Sequence, residues 1–586
     1  MTDERLKTLE TIGRLVSEGK IDRRRLFQTA AALGLTGAVG GASVASTASS
    51  AMAQDSGDLN LVTISQEQQA TWIKNFNPLN SADTSRWPTQ GGIYEPMAIY
   101  STPQGQLNPW LADSWEFSED GLTLTFHMHP GVNWSDGTPL TAQDVKFTFD
   151  LLMSNEALVG TGAIRTALPH LSGVEAPDDA TVVFTFSEVF TLALYDIAEQ
   201  MIVPKHIWET IEDPVAELNE VPVGSGPFTN VGRFEAQYWE LLKNENYWQE
   251  GKPMIDGFRF PSYPTNDAAM LGSLNGENDW FANFIPDIEN TFVSKDPENF
   301  HYWFPSYGAT VHLWLNTTVA PFDSVDVRKG ISQAIDRAQI VNIAMYDYTH
   351  PADSSGLSDA FPAFKTEDAS TQGAWVTLDV DAANAALDAA GLTKDGDVRK
   401  TADGTSMEYE LLVVTGWSDW VAACEIMAAN LAEVGIKATV TPLDFNAWYD
   451  KVTKGEFDMS IGWSDGGATP YSFYIGCMST ATVQPVGTLS PQNWQRFGSE
   501  EADALLAEMA ATSDLEAQKA IVAQLQELYN QNAPGVPLFP GPQWGEFVTL
   551  RFDGFPNADN PYAILSTYDN PERLTVMTTI APIAAE

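Results

Sequence analysis

The chain has 586 residues and a formal net charge of −47, from 31 basic and 78 acidic side chains. A surface this acidic excludes nucleic acid as a partner, because phosphates require a basic face. Hydrophobic content of 44% excludes a disordered chain, and the length predicts two or three lobes.

The first 53 residues read as an export leader. Arg23-Arg24-Arg25-Leu26-Phe27 is a twin-arginine-like motif, and no residue from Leu26 to Gln54 is charged. That stretch is rich in Ala, Gly, Ser and Thr, too weakly apolar for a stable membrane span of ~20 residues. Ala51-Met52-Ala53 fits a small-residue cleavage site and predicts a mature start at Gln54. With no Cys near that site, a lipoprotein is not expected. The mature chain is expected to be soluble and periplasmic, exported by the twin-arginine route. The leader holds 7 basic and 5 acidic residues, so the mature chain carries 24 against 73, a net −49. Such a surface is heavily solvated and suits a saline medium.

Strand-like and helix-like segments then alternate. Residues 122–128 read as a strand, followed by the turn residues Ser135-Asp136-Gly137. Thr141 reads as a helix N-cap, with Asp144 placed to return a capping-box bond. Val145, Phe147, Phe149 and Leu152 supply the apolar positions of that helix. Residues 182–186 form a strand, Gly224-Ser225-Gly226-Pro227-Phe228 a tight turn, and residues 238–242 another strand. Residues 311–316 are a strand and 325–345 a helix. Residues 408–415 are a strand, and 419–434 an amphipathic helix closed by Gly435. Residues 436–441 are the next strand, and 515–530 a helix. The alternation, with hairpins, predicts an α/β protein.

Several chemical motifs bear on function. Gly462-Trp463-Ser464-Asp465-Gly466 matches the nucleophile elbow of serine hydrolases. That chemistry needs a downstream histidine, yet the last one is His350, and Gly467-Ala468-Thr469-Pro470 is not a helix start. A hydrolase is therefore the disfavoured alternative, and no catalytic residue is assigned. Gly-Lys pairs occur only at Gly19-Lys20 and Gly251-Lys252, so there is no phosphate-binding P-loop. His127 and His129 share one strand face, but no carboxylate or Cys stands at a ligand-like spacing. No metal and no cofactor are expected. Cys424 and Cys477 could form a disulfide in an exported protein or be two small buried side chains; spacing leaves both open.

The block from Trp134 to Val145 resembles the signature of family 5 extracytoplasmic solute-binding proteins, the peptide-, oligosaccharide- and nickel-binding receptors of ABC importers. Further landmarks stand in the same order. They are Ile93-Tyr94-Glu95-Pro96, Leu111-Ala112-Asp113-Ser114-Trp115-Glu116, Gly224–Phe228, Asn316-Thr317-Thr318 with Pro321-Phe322-Asp323, and Val327-Arg328 with Ala334-Ile335. The resemblance covers nearly the whole mature chain. It implies a two-lobed periplasmic-binding-protein fold, type II-like, with a small additional domain on the first lobe. The implied division is a leader over 1–53; lobe 1 from 54–92, 207–312 and 545–586; the additional domain over 93–206; and lobe 2 over 313–544. Chain crossings between lobes are implied near 310–316 and 537–544.

By the same resemblance the protein captures a small molecule, docks on the transmembrane subunits of a permease, and is monomeric. In peptide-binding relatives a Trp and then an Asp near 462–466 line the cleft, and the Asp pairs with the peptide amino group. Trp463 matches, whereas Asp465 stands one residue early. Residues 469–474 instead resemble the oligosaccharide-binding branch. Eighteen tryptophans favour the same class, because pyranose C–H faces pack on indoles. Trp417, Trp463 and Trp544 follow strand ends, where α/β clefts collect ligands; Trp314, Trp420 and Trp448 are weaker candidates. The expected ligand-binding set is Glu95, Asn316, Trp417, Trp463, Asp465, Tyr471 and Trp544. An oligosaccharide is the preferred ligand and an oligopeptide the alternative.

Export provides the first test. Replacing Arg23 and Arg24 by Lys is expected to leave precursor in the cytoplasm, as followed by cell fractionation. Normal export of the double variant through the general secretory route would remove the twin-arginine assignment.

Overall fold

The computed structural model describes residues 59–66, 71–80, 91–366 and 373–583, so the leader lies outside the described residues. The chain divides into Met1–Leu59 and Asn60–Glu586, and the second unit carries the fold.

Two main sheets define the two lobes. The lobe 1 sheet has seven strands, in the order Phe300–Tyr302, Glu546–Val548, Trp280–Ala282, Leu61–Gln66, Gly257–Pro261, Tyr238–Lys243 and Phe228–Glu235. Leu61–Gln66 runs parallel to both of its neighbours, and the other pairings are antiparallel. The lobe 2 sheet has five, in the order Lys437–Leu443, Glu408–Val414, Met459–Trp463, Gly308–Leu315 and Val536–Gly541. Its first three run parallel, and Gly308–Leu315 runs antiparallel to both of its neighbours, Met459–Trp463 and Val536–Gly541. A third, four-stranded antiparallel sheet belongs to the additional domain, in the order Ala112–Phe117, Thr123–Met128, Thr181–Phe186 and Leu171–Glu175.

Local chemistry accounts for the helix boundaries that were readable. Thr141 caps the helix Ala142–Ser154: its Oγ1 accepts from Gln143 N at 3.2 Å, and Asp144 Oδ2 accepts from Thr141 N at 2.8 Å. The helix Ser418–Glu433 ends before Gly435, whose φ of +80° suits glycine. The helix expected over 325–345 is not continuous. It stops at Ala334; Ile335 becomes extended, and Asp336 caps a new short turn by accepting from Gln339 N at 2.9 Å. The break serves Arg337, which is buried and donates to Pro537 O, Val376 O and Ser332 O. Cys424 and Cys477 are both buried and both free.

The chain leaves lobe 1 after Tyr302 and returns after Gly541, so the crossings are residues 303–307 and 542–545. Most of 310–316 and 537–544 instead lies within the lobe 2 sheet. The crossings bond to each other: Trp303 N donates to Gly545 O and Gln543 N to Pro305 O, both at 2.9 Å. Just beyond them Gly308 and Gly541 face each other across the strand pair. A Cβ at Gly541 would stand 2.7 Å from Ala309 O, and one at Gly308 would stand 2.7 Å from Gly541 O.

The lobes also touch away from the crossings. Asn266 N donates to Gly416 O at 3.2 Å, and its side-chain amide reaches Ser418 Oγ and Asp419 Oδ1 at 3.3 Å. Thr191 of the additional domain donates through N to Ala510 O at 2.8 Å and through Oγ1 to Thr512 O at 3.0 Å. No helix among the described residues is long and apolar enough to cross a membrane.

The glycine pair yields a stability test. Gly541→Val forces apart two paired backbones and is expected to cost about 2 kcal/mol. The urea unfolding midpoint is expected to fall; an unchanged midpoint would show that the crossing tolerates the added side chain.

Candidate functional site

The candidate site begins with strand direction. Glu408–Val414 and Met459–Trp463 are parallel neighbours, so their C-terminal ends lie on one edge of the lobe 2 sheet. Chain leaving those ends places Trp417 and Trp463 together, with ring centroids 6.3 Å apart. Gly416, at φ +89°, makes the turn that sets Trp417 ahead of its helix.

Further aromatic residues complete the cluster. Trp463 lies 5.2 Å from both Trp448 and Trp494, and stacks near-parallel to Tyr449 at 6.3 Å. Tyr449 in turn stacks on Phe445 at 5.7 Å. Trp417 meets Trp420 edge-on at 4.9 Å. Burial divides the cluster into a base and a face. Trp448 is 0% exposed, and Trp420 and Trp494 are also buried; Trp417, Tyr449 and Trp463 are half-buried, and Phe445 is exposed. Trp448 donates to Ser460 Oγ at 3.0 Å, which marks it as core. Trp417 is also adjacent to the lobe contact that Asn266 makes with Gly416, Ser418 and Asp419. The half-exposed aromatic face therefore borders the junction of the lobes.

The sequence reading missed Phe445, Tyr449 and Trp494. Phe445, Trp448 and Tyr449 follow the N-cap Asp444 at helical spacing i, i+3, i+4, which would have grouped them. Trp494 lies in an irregular segment with no periodicity to signal it.

Asp465 follows Trp463 on the same strand end. Burial pushes its carboxyl up to about 7, opposed by a hydrogen bond from the Gln492 side chain. Its Oδ2 is turned onto the helix Tyr471–Met478 so closely that a Cβ at Gly476 would overlap it. Ser464 is buried, and its Oγ has no hydrogen-bond partner, so no base is in contact with it.

The other expected residues lie elsewhere. Asn316 is buried and fully occupied: Nδ2 donates to Gly455 O and Phe457 O at 2.9 Å, and Oδ1 accepts from Thr318 Oγ1 at 2.7 Å. It orders the turn after its strand and has no hydrogen-bonding capacity directed at a ligand. Glu95 is also enclosed, accepting from Trp110 Nε1 and Tyr247 OH at 2.8 Å and from Trp248 Nε1 at 3.2 Å. Those donors come from the additional domain and from lobe 1, so Glu95 acts as a rivet between them. Tyr471 is half-buried against Phe190 of the additional domain at 5.9 Å, and burial raises its hydroxyl pKa. Trp544 lies in the crossing, packed edge-on against Phe304 at 4.9 Å and Phe284 at 5.7 Å. Among the described residues no ring contact joins that group to the Trp463 cluster. The structure thus unites Trp417, Trp463 and Asp465 and disperses the rest. His129 of the histidine pair bonds Asp113 at 2.6 Å and packs on Trp248.

Glu95 gives a pH test. Burial raises its folded pKa to about 7 from an ordinary 4.5, against the opposing bonds from Trp110, Tyr247 and Trp248. The folded state therefore holds an extra proton between about pH 7 and 4.5, so stability rises as pH falls through that window. Glu95→Gln removes this contribution. Between pH 8 and pH 5 the wild type is expected to gain more stability than the variant, by at most roughly 3 kcal/mol. Equal gains in thermal unfolding would show that Glu95 ionises as freely folded as unfolded.

Comparison with known proteins places this geometry. The model of the bacterial extracellular solute-binding proteins, family 5 middle, matches residues 106–484. A probable D,D-dipeptide-binding periplasmic protein of Escherichia coli is 26% identical over 476 residues, covering 80% of this chain and 86% of that protein. Among solved structures, a periplasmic oligopeptide-binding protein of an oligopeptide ABC transporter from Thermotoga maritima, with mannohexaose bound, superposes with a TM-score of 0.81. It is 23% identical, covering 90% of this chain and 99% of that one. The oligopeptide-binding protein AppA of Bacillus subtilis, in complex with a nonapeptide, gives a TM-score of 0.75 at 19% identity, covering 89% and 99%. Since the family match spans well over half of the chain and the sheets are those of a two-lobed binding protein, the chain belongs to the family 5 bacterial extracellular solute-binding proteins.

Proposed function

We propose that this protein is the periplasmic receptor of an ABC importer and that it captures an oligosaccharide between its lobes. The ligand passes to the permease unchanged, with no cofactor and no metal. The observation that carries the ligand class is the half-exposed face of Trp417, Tyr449, Phe445 and Trp463 beside the lobe contact. Flat, apolar and rigid, it suits the C–H face of a pyranose ring. Asp465 supports the same class: its carboxyl is turned inward and raised to about 7, a poor partner for a peptide ammonium group. The structural neighbour that holds mannohexaose agrees with this choice. The alternative, an oligopeptide receptor, is favoured by the nonapeptide on the Bacillus neighbour. In either case the lobes swing about residues 303–307 and 542–545, and ligand selects the closed state by its differential affinity.

Calorimetry with mannohexaose and with an unblocked tripeptide separates the two. The hexasaccharide is expected to bind and the tripeptide not. Trp463→Ala is expected to cost ~2 kcal/mol, roughly thirtyfold in affinity, while circular dichroism stays unchanged. Tight binding of the tripeptide, or full affinity in Trp463→Ala, would overturn the oligosaccharide reading.

A further inference from the structure

Lobe 2 contains a small pocket directly beside Trp463, lined also by Ser464, Asp465, Gly476, Cys477 and Gln495, with room for about one water molecule. Three polar groups converge on it. Ser464 is 6% exposed and Gln495 1% exposed, and neither Ser464 Oγ nor Gln495 Oε1 has a hydrogen-bond partner. Gln495 Nε2 is already committed to Cys477 O at 2.9 Å, so its oxygen cannot be exchanged for its nitrogen without losing that bond. Asp465, the third group, accepts a hydrogen bond from the Gln492 side chain, which also lines the pocket, and forms no ion pair among the described residues. Two such buried polar atoms left unsatisfied would each lose the hydrogen bond that water gives them in the unfolded chain.

One molecule of water answers Ser464 and Gln495 and gives Asp465 a donor beside Gln492. Its two hydrogens reach the Asp465 carboxylate and Gln495 Oε1, and its lone pair accepts the Ser464 hydroxyl. Asp465 Oδ2 is turned inward onto Gly476, so a group bound there is held inside lobe 2. We infer that this pocket binds a single water molecule and that Asp465 is a positioning residue, fixing the strand end that carries Trp463 through that water without touching the ligand. The inference rests on the reading of Trp463 as the ligand platform. It also separates Asp465 from the amino-group partner that its place in the sequence suggests.

The only other titratable side chain lining the pocket is the Cys477 thiol, which burial raises well above its ordinary value. Asp465, raised to about 7 by burial, is therefore the group in this pocket whose charge changes near neutral pH, and the lining includes the indoles of Trp463 and Trp494.

Two experiments test the inference. A high-resolution crystal structure of the unliganded protein is expected to show one ordered water bonded to Asp465, Ser464 and Gln495. A metal ion or a ligand amine in that place would overturn it. In the Glu95→Gln background, which removes the other carboxyl raised to about 7 beside indoles, tryptophan fluorescence is expected to change near pH 7, and the change is expected to shrink with Asp465→Asn. That variant is expected to keep its affinity for mannohexaose within about threefold, since an amide still accepts from the water. Equal fluorescence changes with and without Asp465→Asn in that background, or loss of binding in Asp465→Asn beyond about thirtyfold, would overturn the positioning role. Failure of mannohexaose to bind the wild type would count against the oligosaccharide reading alone, because the water and the titration are read without ligand.

Discussion

Both lobes depend on two backbone crossings held to each other by two hydrogen bonds, Trp303 N to Gly545 O and Gln543 N to Pro305 O. Each sheet is built from distant parts of the chain. Leu61–Gln66 and Glu546–Val548 both flank Trp280–Ala282, and Gly308–Leu315 pairs with Val536–Gly541. Neither sheet is complete until the C-terminal segment returns, so contact order is high and folding is expected to be slow. The paired crossings also limit how the lobes move. Two adjacent strands bend together more readily than they twist apart, so the lobe motion proposed above would be a hinge.

The aromatic site inherits its precision from the same sheet. Trp463 ends a strand whose neighbours on both sides are hydrogen-bonded, and Trp314 Nε1 donates to the Trp463 carbonyl at 3.2 Å. Trp448, Trp494 and Trp420 fill the space beneath. The half-exposed rings therefore stand on a rigid base, which in the proposed role leaves little conformational entropy for a ligand to remove.

Much of this was legible in the sequence where the cause is local. The Thr141 cap, the 418–433 helix and the turn at Gly435 each depend on a few neighbouring residues, and each stands where the pattern put it. The Trp417–Trp463 pairing was legible because strand ends in α/β sheets converge. What escaped depends on distant partners. Asn316 looked like a ligand residue until Gly455 and Phe457 took its amide, and Glu95 until Trp110, Tyr247 and Trp248 enclosed it. The break after Ala334 answers Pro537 and Val376, far along the chain from Arg337. No window on the sequence holds both members of such a pair.

The lobe contacts have a consequence for ionic strength. Asn266, Thr191 and Tyr348, whose hydroxyl donates to Ile285 O and accepts from Ile288 N, join the two sides through amides, hydroxyls and backbone carbonyls, with Asp419 the single carboxyl and no lysine or arginine in these bonds. Dissolved salt has no opposite-charge attraction to screen at those points. It does screen the repulsion between lobes of a chain whose formal charge is −47. In the proposed capture cycle, closure should therefore become easier as salt rises, the reverse of a receptor whose lobes are clasped by ion pairs, and the acidity of the surface makes the medium itself a partner in that step.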